Sequence, residues 1–368
     1  MLQWVAKEVN SPYGSITTVH WAVGDSEEEV SSSKMNGTST SSCPSNKTGS
    51  HGAVGRDRLA GLEQLLENAE DQLGAVLWNS NTVALGYLHS HVLNKSATDY
   101  RIVELGAGVG CLGIGLAMAG ARVVVTDLKE LVPLMIKNIE LNKEKIHTRS
   151  NGRGVCSALT WRWGPQPGPK CKDKRKSASN GNKRDRRNLL ENENGLPLVG
   201  QMVSSFMTPS PAFSEVQQLL DRVDLVVMCD ALYGNKKDWR QLLYTLSEIL
   251  AANPSCEVVN FCEQRIDNVE DEFLKLLEEE NTKTCSFAPH PGTQGETLED
   301  ALLRMRGPYK WHARTEVVKE GASDLGMVVR ATRIQWVRLN TTQQLKSQIS
   351  PCVADSSEER QLKRSKIL

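Results

Sequence analysis

Two short stretches hold the residues whose types and spacing suit chemistry. In Ile102-Val103-Glu104-Leu105-Gly106-Ala107-Gly108-Val109-Gly110, an apolar run of strand character ends in glycines at alternate positions. Glycine accepts positive φ and carries no Cβ, so Gly106, Gly108 and Gly110 let backbone approach a ligand at the N-terminus of the helix that follows. Glu104 lies just before the first glycine, and Asp127 ends the next apolar run, where a carboxylate can accept ribose hydroxyl protons. The second stretch is Asp230-Ala231-Leu232-Tyr233, directly after the apolar run Leu225 to Cys229. A carboxylate where a strand leaves the sheet beside a glycine turn can hydrogen-bond an incoming amine. A tyrosine near it can wall a channel and offer a hydroxyl or π face to an alkyl ammonium. Taken alone, Asp230 and Tyr233 read as a helix cap and a packed aromatic; the glycine turn upstream moves the reading toward a site.

Gly108, Gly110 and Gly113 satisfy the letters of the dinucleotide fingerprint G-x-G-x-x-G, so a nicotinamide site must be weighed. Placement argues against it. The first glycine of that fingerprint should follow the strand directly, and Gly108 comes two residues late. A carboxylate at Glu104 would also repel a pyrophosphate, whereas the sulfonium and amino group of S-adenosylmethionine would tolerate it.

The elements that must position these residues alternate between strand and helix periodicity, the pattern of a mostly parallel sheet covered on both faces. A helix is expected just after Leu77-Trp78, with Ala84, Leu85, Leu88 and Val92 at helical spacing. Arg101 to Leu105 reads as a strand, Cys111 to Ala119 as a helix stopped by Gly120, and Arg122 to Thr126 as a strand. Leu131 to Leu141 reads as a helix with Pro133 in its first turn, and Val155 to Thr160 as a strand. Asp224 to Cys229 is a strand, Trp239 to Leu250 a helix, Glu257 to Cys262 a strand and Val269 to Leu277 a helix. Two closing strands, near Trp311 to Val318 and Gly326 to Trp336, are able to pair as a hairpin. The fold class expected is α/β, a doubly wound and mostly parallel seven-stranded sheet with an antiparallel C-terminal hairpin and disordered insertions.

The organisation expected is an N-terminal strand region over 1–25 and a low-complexity loop over 26–55. The cofactor-binding half of the catalytic domain follows over 56–164, then a basic insertion over 165–211, the substrate-side half over 212–340 and a polar tail over 341–368. The 368 residues hold 44 Lys plus Arg and 44 Asp plus Glu, so no global field draws the chain to nucleic acid or an anionic membrane. The basic clusters lie in low-complexity sequence without interleaved aromatics, which argues against single-strand stacking. No secretory h-region or membrane span is legible, and a cytoplasmic protein, with nuclear entry open through the basic runs, is the expectation. Nine scattered cysteines without a Cys-x-x-Cys pair read as reduced thiols. Seven dispersed histidines, with His89 and His91 only two apart, give no metal site.

With these motifs on the page, the chain resembles the seven-β-strand S-adenosylmethionine-dependent methyltransferases. Within them it resembles the family 16 protein-lysine methyltransferases, whose members modify molecular chaperones, elongation factors and similar proteins. The matching pieces run from Val76 to about Trp336 without the insertion: Val76-Leu77-Trp78, the Glu104 to Gly110 loop, Thr126-Asp127, Pro133 to Asn142, the strand ending near Trp161, and Asp230-Ala231-Leu232-Tyr233. The resemblance implies S-adenosylmethionine as cofactor and a protein lysine as acceptor; a monomer without nucleic-acid or membrane partners is the accompanying expectation. Its implied cofactor contacts are Trp78, Glu104, Gly106, Gly108, Gly110, Asp127 and Cys229, with Asp230 and Tyr233 as catalytic residues. A tryptophan covering the adenine is implied too, and Trp161 and Trp163 compete for that place. Spacing from Leu159 favours Trp161, and adjacency to Gly164 favours Trp163. Asn79 stands where many relatives carry an acid, and the insertion is long for the family. Another acceptor (arginine, histidine, RNA or a small amine) and a catalytically silent interaction module are the competing readings.

Overall fold

Residues 2–23, 73–94, 97–166, 209–232, 239–264, 269–283, 297–318 and 327–339 are described by the structure, a computed structural model. The chain opens with a hairpin, β1 (Leu2–Ser11) and β2 (Gly14–Val23), that forms a two-stranded sheet of its own. A single 3-10 turn (Leu73–Ala75) leads to α1 (Ser80–Tyr87), which continues as a π turn over Leu88–Val92. Next come β3 (Arg101–Leu105), α2 (Cys111–Met118), β4 (Arg122–Asp127), α3 (Val132–Arg149) and β5 (Val155–Thr160). The second half supplies α4 (Pro211–Leu220), β6 (Leu225–Cys229), α5 (Trp239–Ala252), β7 (Glu257–Glu263), α6 (Val269–Thr282) and α7 (Leu298–Arg306). Strands β8 (Tyr309–Val317) and β9 (Val329–Arg338) close the fold.

The main sheet has seven strands in the order β5-β4-β3-β6-β7-β9-β8. Strands β3 to β7 are mutually parallel, and β9 runs antiparallel to both of its neighbours. The strand and helix alternation thus yields the expected doubly wound sheet. The central strands are apolar along their whole length: all five residues of β6 and four of the five in β3 are buried. Such runs are what a strand covered on both faces requires. One apolar core packs the hairpin with α1, α2 and α3 against one face; the other packs α4 to α7 against the opposite face.

Helix α2 is buried on all sides, because the hairpin lies outside it. A Cβ added at Gly115 would stand 2.7 Å from Leu85 and 3.1 Å from Ile16 of β2, so the glycine permits this close layer. Helix α3 extends to Arg149, well past the Leu141 end expected from periodicity. Its buried stripe continues through Asn138, Asn142 and Ile146, and the two asparagines hide the apolar spacing from a sequence reading. Helix α4 lies largely within 212–340, yet it was not anticipated. It starts at Pro211, with Ser210 as an N-cap that accepts a 3.2 Å hydrogen bond from the Phe213 N–H. Helix α7, also not anticipated, is set by a capping box between Thr297 and Asp300. The 26–55 and 341–368 segments lie outside the described residues, as does all of the 165–211 segment except its ends. Among the described residues no helix is long and apolar enough to cross a membrane.

Candidate functional site

Strand β3 pairs with β4 on one side and β6 on the other, so chain direction of travel across the sheet reverses beside it. In an open α/β sheet, ligands bind at the carboxyl ends of the strands flanking such a point. A crevice is found there. The Leu73–Ala75 turn, Val76, Trp78 and Asn81 wall it on one side, and Glu104, Gly106 to Val109, Asp127, Cys229 and Asp230 wall the other. Of the anticipated site residues, Trp78, Glu104, Gly106, Gly108, Asp127, Cys229 and Asp230 line one space.

The glycine loop is held in a conformation that depends on its glycines. Gly106, Gly108 and Gly110 have φ of +69°, +54° and +76°. At Gly108 a Cβ would come within 2.7 Å of the Gly74 carbonyl oxygen, so the 3-10 turn lies directly across the loop. Gly110 is the N-cap of α2 and is not among the residues lining the crevice; a Cβ there would meet Met135 first, at 3.6 Å. Asp127 secures the loop from β4: its Oδ2 accepts the Gly108 N–H at 2.8 Å and its Oδ1 accepts the Leu128 N–H at 2.7 Å. Burial raises its pKa, and these two N–H donors oppose that shift. Glu104 is buried, and its Oε2 accepts the Gly113 N–H in the first turn of α2 at 2.8 Å. Burial pushes its carboxyl up to about 8, with the Gly113 N–H lowering it and the Asp127 charge adding to the rise.

Asp230 follows β6 with φ +50°, a left-handed conformation costly for a residue with a Cβ. Hydrogen bonds to described residues of two neighbouring elements hold it. The Asp230 N–H donates to the Phe261 carbonyl at 2.9 Å, and Oδ1 accepts the Glu263 N–H at 2.8 Å, both on β7. Oδ2 accepts the hydroxyl of Ser80, the first residue of α1. The Cys229 thiol in turn donates to Ser80 Oγ at 3.3 Å, and burial holds that thiol well above its ordinary pKa. Sequence reading missed Ser80 and Asn81, since short polar residues at a helix start have an ordinary local use. Asn81 lines the crevice and donates to the Trp78 carbonyl at 2.8 Å. Asn79 is the N-cap of α1 and makes no side-chain capping bond. Tyr233 lies outside the described residues.

The two tryptophans part company. Trp161 is 1% exposed and packs in the core beneath α4, stacked on Phe213 at 6.1 Å between ring centroids. Trp163 lies against the glycine loop: a Cβ at Gly106 would sit 3.3 Å from its Cζ2. The Gly164 N–H, bonded to Thr245 Oγ1 at 2.9 Å, fixes the chain just after it. Both tryptophans lie beyond the end of β5 at Thr160: the Trp161 N–H still donates to the Asp127 carbonyl at 2.9 Å, which keeps that residue against the sheet under α4, and by Trp163 the chain has left the strand, so the two-residue period no longer sets its face. His91 stacks on Tyr87 with 4.6 Å between centroids, and among the described residues no group of His, Cys, Asp or Glu suits a metal ion.

Residues 61–168 match the family model described as lysine methyltransferase. The mouse protein-lysine methyltransferase METTL21E is 36% identical over 84 residues, which cover 23% of this chain and 34% of that protein. Mouse protein N-lysine methyltransferase METTL21A is 35% identical over 92 residues, covering 24% of this chain and 40% of that protein. The chain therefore spans well under half the length of these relatives. Among solved structures, the magnesium protoporphyrin IX methyltransferase of Synechocystis PCC 6803 with bound SAH overlaps 78% of this chain and 89% of its own. Its identity is 14% and its TM-score 0.30. The matched segment, 61–168, carries the glycine loop, Glu104 and Asp127. Through that segment, and on a doubly wound seven-stranded sheet, the chain resembles the lysine methyltransferase family.

Proposed function

We propose that the protein transfers a methyl group from S-adenosylmethionine to the side-chain amine of a lysine in a protein substrate. The observation that carries this reading is the joining, in one crevice, of the glycine loop and its two acids with an Asp230 carboxylate held by Ser80 of α1 and Glu263 of β7. The residues fit the cofactor. Glycines leave backbone room where a Cβ would meet Gly74 or Trp163, and the acids Glu104 and Asp127 suit a cationic, ribose-bearing ligand rather than a pyrophosphate. Asp127 would hold the ribose through the acceptor capacity left on its oxygens, Glu104 would face the cationic end, and Trp163 would cover the base. When bound, the cofactor supplies a methyl group made electrophilic by a sulfonium.

What the protein must then supply is alignment, since holding reactants in an in-line pose accounts for a large part of such a barrier. A lysine of unperturbed pKa near 10.4 costs about 4–5 kcal/mol to deprotonate at pH 7. Burial of its alkyl chain in the crevice lowers that cost by disfavouring the charged form. Asp230, its oxygens held by the Ser80 hydroxyl and the Glu263 N–H, orients the amine and stabilises positive charge as it develops. It is not assigned as a general base, because a full carboxylate favours the ammonium form.

The test uses methyl-labelled cofactor in cell extract, with wild type beside Asp230→Ala and halves treated with protease or ribonuclease. Label that vanishes with protease and in Asp230→Ala, while calorimetry shows cofactor binding little changed, is the expected result. Wild-type activity in Asp230→Ala would remove the assignment, and label sensitive to ribonuclease would replace the acceptor. A cytoplasmic location is part of the same proposal.

A further inference from the structure

The N-terminal hairpin is joined to the glycine loop by one side chain. Thr17 and Val19 of β2 belong to pairs (with Glu8 and Ala6) whose backbone groups alternate away from β1, leaving N–H and C=O groups on an open edge. Two asparagines of α3, one helical turn apart, fill that edge as a strand would. Asn142 accepts the Thr17 N–H at 2.9 Å and donates to the Thr17 carbonyl at 2.7 Å. Asn138 accepts the Val19 N–H at 2.7 Å and donates to the Val19 carbonyl at 3.1 Å. The second amide hydrogen of Asn138 goes elsewhere, to the Val109 carbonyl at 2.9 Å, inside the glycine loop. The corresponding hydrogen of Asn142 returns to the Asn138 carbonyl of its own helix at 2.7 Å. Both asparagines are fully buried.

We infer that Asn138 is a positioning residue for the cofactor loop, and that through it the N-terminal hairpin is a working part of the cofactor site. Val109 stands between the glycines whose conformation forms the crevice floor, and its carbonyl needs a donor because burial without one is costly. Asp127 holds the loop at Gly108 from β4, and Asn138 holds it at the next residue from α3. The amide that grips Val109 is oriented by its two bonds to Val19, so the register of β2 sets the aim of the donor. Asn142 clamps the same strand edge without touching the loop, and this separates positioning from mere stability. The inference rests on the reading of the loop as a cofactor site.

The experiment compares Asn138→Ala with Asn142→Ala in the full chain. Thermal unfolding, hydrogen exchange of the loop amides without ligand, and calorimetric binding of S-adenosylhomocysteine are measured on each. Both variants should lose stability, whereas only Asn138→Ala should speed exchange at Gly108 to Gly110 and weaken binding about tenfold or more. Equal loop protection and equal affinity in the two variants would overturn the inference. If Asn138→Ala does not fold, Asn138→Ser, which keeps one donor, replaces it and should still show faster loop exchange and weaker binding than Asn142→Ala, equal values again overturning the inference. Should wild type itself bind no S-adenosylhomocysteine, the cofactor reading fails, while the ligand-free exchange still decides whether Asn138 restrains the loop.

Discussion

Glu104 combines a capping and a charge role in one buried carboxyl, and its ionisation has a measurable signature. Its pKa in the fold is about 8 against an ordinary 4.5, so the folded state binds a proton that the unfolded chain releases between those values. The stability this group contributes is therefore fully present below about pH 4.5 and is lost as pH rises to about 8, at up to about 1.4 kcal/mol per unit. Glu104→Gln keeps an oxygen for the Gly113 N–H and removes the titration. In denaturant unfolding without ligand, the variant should gain on wild type steadily from pH 5 to pH 8; parallel curves would show that Glu104 is not the group responsible. At this scale much of the site was legible: Glu104, Asp127 and Asp230 are acids at the ends of apolar runs, and the structure sets them around one crevice. Ser80 was not legible, because a serine at a helix start has an ordinary local use. Its bond to Asp230 spans 150 residues of sequence. The different positions of Trp161 and Trp163 also required three dimensions, since both lie where β5 ends and only the direction of each ring distinguishes them.

The glycine loop shows how an element can depend unequally on residues of one type. Gly108 combines φ +54° with a Cβ position 2.7 Å from the Gly74 carbonyl, whereas at Gly110 the nearest atom would be 3.6 Å away. Alanine at Gly110 then costs the left-handed penalty alone, about 1–2 kcal/mol. Alanine at Gly108 must also displace the Leu73–Ala75 turn, a wall of the crevice. Gly108→Ala should thus lower the melting temperature more than Gly110→Ala and weaken S-adenosylhomocysteine binding disproportionately. Equal losses of affinity would mean that the turn does not shape the site. The alternating glycines predicted the loop, but nothing in Leu73-Gly74-Ala75 announced the turn as its neighbour. Helix α3 posed the opposite difficulty. Its expected end at Leu141 fell short because Asn142, polar by type, occupies the next buried position, which periodicity reserves for an apolar residue.

Over the whole molecule, the parallel half of the sheet follows from strand and helix alternation, while the placing of β9 between β7 and β8 depends on particular side chains. Apolar patterning expected a closing hairpin without saying which of its strands would meet the sheet. Two arginines of β9 bind it to its neighbours: Arg333 makes two 2.7 Å hydrogen bonds to Glu257 of β7, and Arg330 Nε lies 3.0 Å from Glu270 on α6. The environments differ. Arg333 and Glu257 are partly exposed, so Arg333→Ala should cost about 1 kcal/mol or less. Glu270 is 2% exposed, with its pKa raised by burial and restrained by the Thr332 hydroxyl and the Arg330 charge. Arg330→Ala strands that carboxylate, and removing one member of a buried pair costs about 3–5 kcal/mol. Without the arginine Glu270 takes up a proton more readily in the fold, so the deficit of Arg330→Ala should shrink as pH falls and be largest at neutral pH and above. Adding Glu270→Gln should restore part of the loss at neutral pH. Urea unfolding of the three variants at pH 5 and pH 7.5 measures this directly. A pH-independent deficit for Arg330→Ala would show that the arginine holds β9 by packing its alkyl chain rather than by compensating the buried charge.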